Sequence, residues 1–434
     1  MAGRFQGRSS VGVARYGMVV GVVFSVLWAS PSPESSAMPD IGAATEPALP
    51  AYDEFYRPSA DLVASAHPGD ILAARPIEIA SRLRESLGVR AWQLSYRSNN
   101  SVDQPIAAVA TVLKPRGGIG KLVSLHAAED STGQHCAPSY TVQRPAHAGL
   151  LDGQLDPLRG APALLAQGWT VVLPDHQGPD AAFAHGPLAA RIALDGIRAA
   201  ENFGPLRLPG ADTEVAMWGY SGGSIPTLHG AEIRAAYAPE VNIVGVVSGG
   251  TDVDLEVLAR EANKGPGAGL VTAAIIGLAR EEPALEAYLR ANATPRGREV
   301  LAAKDRTCAL RHVAIEPFLD IDTLVQGGLL DAPVVREVFD RTRMGKAVPD
   351  SPVFLYHAVA DWLVPIGPAD DLVATYCQDP TARVTYVRDH ASEHLTLNSL
   401  AERRVVTWLH ERFAGIPVEN GCTTTNVGSI ALGR

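Results

Sequence analysis

Short apolar runs and longer amphipathic stretches alternate along most of this chain. Ala107–Lys114 is a β-branched run stopped by Pro115 and a Gly117-Gly118 turn, which predicts a strand. Leu122–His126, Thr170–Leu173, Val215–Trp218 and Val241–Val247 are short runs of the kind that fill a buried strand. Between them, Ala161–Gln167 ends at Gly168, a helix-stop signal. Leu188–Phe203 places Leu188, Ile192, Asp195 and Ala199 on one helical face, and Gly222–Tyr237 also has helical spacing. This order predicts an α/β fold with a mostly parallel central sheet flanked by helices. The alternation stops at residue 255. Residues 255–345 are helix-like and hold no strand-like run, which predicts a helical cap or lid inserted into the core. Val353–His357 and Arg383–Val387 then resume the strands, and Leu400–Phe413 predicts a closing helix. The expected organisation is a core from 52 to 254, the insertion from 255 to 345, and the rest of the core with a C-terminal tail from 346 to 434.

Composition narrows the class. Of 434 residues, 46% are hydrophobic and 19% charged, enough to bury a large core. A net charge of −10 with no long basic run excludes nucleic acid as a partner. Arg4, Arg8 and Arg15 precede an apolar stretch from Tyr16 to Ala29, and Ser35-Ser36-Ala37 follows as a small-residue site. This pattern predicts a signal peptide over residues 1–37, then a Pro/Ala-rich tail over 38–51. The apolar stretch is shorter than the ~18 residues a spanning helix needs, and no later segment is apolar enough, so the chain is expected to be secreted. Cys136, Cys308, Cys377 and Cys422 include no Cys-x-x-Cys pair, which argues against zinc or thiol-redox use. An even count in an exported chain predicts disulfides, with three connectivities open. No metal and no cofactor is expected.

Gly219-Tyr220-Ser221-Gly222-Gly223 carries the chemistry. With 41 glycines in the chain, Gly-x-Ser-x-Gly is weak by itself. Its context is specific, because a predicted strand precedes Ser221 and a predicted helix follows. That is the strand–turn–helix nucleophile elbow, so the expected fold is the α/β-hydrolase fold. A serine hydroxyl needs a base, and the base an orienting acid, in the chain order Ser, acid, His. Asp361, just after the Val353–His357 strand, is the expected acid; Asp370 and Asp371 fall in the next helix. Two histidines follow the last strand, His390 and His394, and position does not decide between them. His410 lies inside the closing helix. Gly222 N–H is the first expected oxyanion donor, and the second comes from the loop Ala127–Thr132, which lacks the His-Gly-Gly-Gly form.

The ordered set of short motifs resembles the secretory lipase family, the group that includes fungal lipase A enzymes. Its carriers are Glu129-Asp130, Cys136-Ala137-Pro138-Ser139-Tyr140, Asp175-His176-Gln177-Gly178, Leu194-Asp195-Gly196-Ile197-Arg198-Ala199, Gly219–Gly223, Tyr237-Ala238-Pro239-Glu240, Gly249-Gly250-Thr251, Asp361 with Val364-Pro365, and Glu393-His394. The resemblance spans about Phe55 to Cys422. It implies a triad of Ser221, Asp361 and His394, with Asp130 beside Gly222 in the oxyanion hole. It also implies a cap over residues 255–345, disulfides Cys136–Cys308 and Cys377–Cys422, and lipid or other ester substrates met at a lipid–water interface. The alternatives are a serine peptidase or acyltransferase on the same fold, or a binding protein that has lost a triad member; no triad residue is missing here. The apolar stretch Gly269–Ala279 is expected either to line an acyl tunnel, with Ile275 and Ile276 facing it, or to be an ordinary buried helix.

Overall fold

The computed structural model describes residues 47–80, 87–145 and 152–432. The expected signal peptide and most of the expected tail lie outside these residues. Ten strands form one sheet: β1 Ile71–Ile77, β2 Arg90–Asn99, β3 Pro105–Lys114, β4 Leu122–His126, β5 Thr170–Pro174, β6 Val215–Tyr220, β7 Ile243–Gly249, β8 Val353–Ala358, β9 Arg383–Asp389 and β10 Gly421–Val427. The strand order is β1-β2-β3-β5-β4-β6-β7-β8-β9-β10. The sheet is antiparallel from β1 to β5 and parallel from β5 to β10.

The helices among the described residues include α1 Gly186–Glu201, α2 Ser224–Tyr237, α3 Leu255–Ala262, α4 Ala268–Glu281, α5 Pro283–Asn292, α6 Pro295–Lys304, α7 Ala309–Ala314, α8 Pro333–Thr342, α9 Ile366–Tyr376 and α10 His394–Phe413. β6 shows why the core strands read as continuous apolar runs. Val215 and Met217 face one core cluster with Ile192 and Leu228, while Ala216 and Trp218 face the other with Val405 and Trp408. Both faces of the strand are buried, so alternation has no polar side to show.

The stretch from 255 to 342 carries α3 to α8, between β7 and β8. An isolated bridge, Ala293 to Val325, is the one β-type pairing within it. Both expected disulfides form. Cys136–Cys308 joins the segment after β4 to the residue capping α7, and Cys377–Cys422 joins the end of α9 to β10, with Cα separations of 5.6 and 5.9 Å.

Three strands escape the sequence pattern. β10 lies where a tail is expected and pairs in parallel with β9 over its whole length. Its residues Thr423, Thr424 and Thr425 are exposed, so no apolar face marks it. β2 is buried but polar, with Gln93, Ser95 and Ser98 inside. β1 is an edge strand that contains Pro76. The closing helix also begins six residues before the expected Leu400, at His394. Among the described residues, no helix is long and apolar enough to cross a membrane.

Candidate active site

Four strands deliver the candidate site at their C-terminal ends, the edge where parallel sheets place ligands. Ser221 follows β6, Asp130 lies past β4, Asp361 past β8 and His394 past β9. β4 and β6 are neighbours, with His126 opposite Gly219, and β8 and β9 are neighbours, with Ala358 opposite Asp389. Residues far apart in the chain are therefore brought onto one rim.

Ser221 sits at φ +53°, the strained backbone of a sharp strand-to-helix turn. A side chain at Gly219 would collide with the Gly223 carbonyl and Thr227, and one at Gly223 with the His126 carbonyl. The motif's glycines are thus required by close backbone approach. Thr227 Oγ1 donates to the Gly223 carbonyl at 2.7 Å and bonds His126 Nδ1 at 2.6 Å, which ties β4 to the turn.

His394 Nε2 lies 2.8 Å from Ser221 Oγ, and His394 Nδ1 lies 2.8 Å from Asp361 Oδ2. A carboxylate at Nδ1 requires the proton there, so Nε2 is the acceptor for the serine hydroxyl. Burial pushes the His394 imidazole pKa down, but the Asp361 hydrogen bond and charge outweigh it, and the net shift is upward. Burial pushes Asp361 up, but His394 outweighs it, and the carboxyl ends below its ordinary value. Asp361 Oδ1 accepts the Leu363 and Val364 N–H groups at 3.0 and 2.8 Å, which fixes the carboxylate in its loop. His357 donates from Nε2 to the Val364 carbonyl at 3.0 Å and stands 3.5 Å from Asp361 Oδ2.

His394 is the first residue of α10. Asp389 Oδ1 accepts the Ala391 and Ser392 N–H groups at 2.9 and 2.7 Å, turning the chain sharply after β9. Glu393 then caps the helix, accepting the Leu395 and Thr396 N–H groups at 3.0 Å each. Tyr220, next to the serine, donates to the His394 carbonyl at 2.6 Å. His390 points away: it is exposed and bonds Asn426 at 3.3 Å. Asp370 accepts from Tyr386 and pairs with Arg388, remote from this relay.

Asp130 has φ +44° and is buried, and its carboxyl stands directly against the Gly222 backbone. Burial raises it to about 6, with His394 pulling the other way. The loop that carries it is fixed from behind. The His176 N–H donates to Glu129 at 2.9 Å, His176 Nε2 to the Ala127 carbonyl at 2.8 Å, and Gln177 exchanges bonds with the Ser131 backbone. Sequence reasoning assigned no role to Glu129, His176 and Gln177. It also passed over Asp252, which shares a cavity with Ser221 and is raised to about 7, first by burial and then by Asp130. Only the fold brings Asp252 there.

Two cavities meet at Ser221, of about 370 Å³ and about 20 Å³. Leu270 of α4 lines both, and Val271 and Ala274 line the smaller. Ile275 and Ile276 do not: Ile275 is packed in the core, and Ile276 lines a separate cavity. The helical period turns Leu270, Val271 and Ala274 toward the serine instead. The one His/Cys group of metal-ligand spacing among the described residues is His135 with Cys136 and Cys308, and both cysteines are in the disulfide.

The model of a family described as "Secretory lipase" matches residues 142–421. Lipase A of Arthroderma benhamiae is 33% identical, over 88% of this chain and 83% of its own length. A protein of Mycobacterium tuberculosis named "probable inactive lipase" is 35% identical, over 86% and 84%. A secreted triacylglycerol lipase of Malassezia restricta is 32% identical, over 87% and 82%. The crystal structure of Candida antarctica lipase A superposes with a TM-score of 0.81 at 29% identity, covering 88% of this chain and 90% of that one. The fold is therefore that of the α/β-hydrolase lipases, and the chain belongs to the secretory lipase family.

Proposed function

We propose that this secretory lipase hydrolyses carboxylic esters of lipids through an acyl-enzyme on Ser221. The observation that carries the reading is the unbroken relay Ser221–His394–Asp361, with 2.8 Å at each step. His394 Nε2 takes the Ser221 proton as Oγ attacks the ester carbonyl, and Asp361 stabilises the resulting imidazolium. The tetrahedral oxyanion rests against the backbone N–H groups of Gly222 and Asp130. His394 then returns the proton to the departing alkoxide, and a water repeats the sequence to release the acid.

The lipid side of the reading is supported at the rim. Leu155, Leu310 and Leu395 are 38, 37 and 55% exposed and line the larger cavity with Ser221. Apolar side chains left in water around a site mark a surface meant for an apolar phase. Residues 255–345, a cap over the site in this reading, supply Leu270, Leu310 and Val313 to that cavity. The relatives' names include triacylglycerol lipases and favour neither peptidase nor acyltransferase chemistry. Secretion through residues 1–37 agrees with two disulfides, which persist in oxidising compartments.

One relative is named inactive, so a non-catalytic reading is a real competitor. A p-nitrophenyl butyrate assay on purified protein separates the two. Wild type is expected to turn over, and Ser221→Ala to lose about 10⁶ in kcat with its circular dichroism unchanged. Equal rates in the two proteins would overturn the assignment.

A further inference from the structure

The two cavities at Ser221 are unequal, and the chemistry assigns them. The departing alkoxide must receive its proton from His394, so the alcohol half belongs where His394 is. His394 lines the cavity of about 370 Å³ and not the one of about 20 Å³. The acyl half is left with the smaller space, which is too small for a long chain.

That smaller cavity has a mixed wall. Phe183, Ile225, Leu258, Val271 and Ala274 are apolar, but the carboxyls of Asp130 and Asp252 share it. Each keeps a buried Oδ1 without a hydrogen-bond partner. Buried acceptors of this kind are rare in folded proteins and call for a donor from elsewhere. Asp130 stands against the Gly222 backbone, at the oxyanion position. Asp252 is held in place from its backbone: its N–H donates to buried Ser224 Oγ at 3.0 Å, and the preceding Thr251 N–H donates to His357 Nδ1.

We infer that the acyl site takes short acyl groups bearing a hydroxyl, and that Asp252 is the specificity-determining residue that pairs with that hydroxyl. The inference rests on Ser221 being the nucleophile. A hydroxyl supplies the missing donor to Oδ1, whereas a long alkyl chain outgrows the space and buries the carboxyl without a partner. Raised to about 7, Asp252 is partly protonated at neutral pH, and the acid and the carboxylate can each pair with a hydroxyl.

The test compares kcat/KM for the p-nitrophenyl esters of butyrate, 3-hydroxybutyrate and octanoate. Wild type should favour 3-hydroxybutyrate over butyrate by about tenfold or more, and both over octanoate. Asp252→Leu should abolish the hydroxyl preference and leave octanoate the poorest of the three. Asp252→Asn, which keeps a polar group of the same shape, should retain the preference. Turnover without a hydroxyl preference in wild type overturns this inference alone, as does an equal loss on all three esters in Asp252→Leu. No turnover of any ester by wild type overturns the Ser221 reading, and this one with it.

Discussion

His394 is pulled in two directions, and the balance has a kinetic signature. Burial favours the neutral ring and Asp361 favours the charged one, and the net effect raises its pKa above the ordinary 6.5. Only the neutral ring can accept the Ser221 proton, so kcat/KM should rise with pH through a midpoint above 6.5. Asp361→Asn removes the strongest upward influence and the tautomer control together. The midpoint should fall and kcat should drop by about 10⁴, read from pH–rate profiles of both proteins. An unmoved midpoint would mean that another group titrates. The choice between His390 and His394 belongs to the same scale. Both histidines are legible as candidates, but four residues of separation cannot say which ring turns inward. Here the Asp389-centred turn sends His390 out to Asn426 and His394 in to Ser221. His394→Ala should therefore lose activity by orders of magnitude, while His390→Ala stays near wild type; the reverse outcome would discard the relay.

At the scale of elements, α10 exists in register with the chemistry because Glu393 caps it. The Glu393 carboxylate accepts the N–H groups of Leu395 and Thr396, Thr396 Oγ1 accepts a long bond from the Glu393 N–H at 3.4 Å, and Trp362 donates to the same carboxylate at 2.9 Å. This cap is hard to read from sequence, since Glu is not among the preferred cap residues and His394 and Thr396 have weak helix propensity. Buried strands such as β4 to β7 were legible because both faces are apolar. β2 was not, because its inward Gln93 bonds Tyr56 and the Ser139 carbonyl, so polarity hides burial. Glu393→Ala should cost about 1 kcal/mol in urea unfolding and lower kcat more than it changes KM, since it loosens His394 and not the cavities. Glu393→Asp should recover most of both. Stability loss with untouched kcat would show that α10 holds His394 without its cap.

Over the whole molecule, two covalent links of similar thermodynamic weight should have unequal kinetic weight. Cys136–Cys308 spans 172 residues and Cys377–Cys422 spans 45. On the chain-entropy model they stabilise by about 5 and about 4 kcal/mol, upper figures where the unfolded chain keeps structure. Their places differ more than these values do. Cys136 follows the Asp130 loop, and Cys308 caps α7, whose Ala309, Leu310 and Val313 line the larger cavity with Ser221. The segment is also sewn by the Thr132 N–H to the Thr307 carbonyl at 2.9 Å and by Leu310 N–H to the Gly153 carbonyl at 2.9 Å. The first disulfide therefore fixes the distance between the Asp130 loop and the α7 wall of the larger cavity. The second pins β10 against α9, on the far side of β9 from the serine. Replacing each pair by serines should lower the urea midpoint in both proteins. Only Cys136→Ser/Cys308→Ser should also lower kcat/KM on p-nitrophenyl butyrate, by about ten- to a hundredfold, because small misplacements at a reacting centre are costly. Equal kinetic losses in the two proteins, or none in either, would overturn a special kinetic role for Cys136–Cys308.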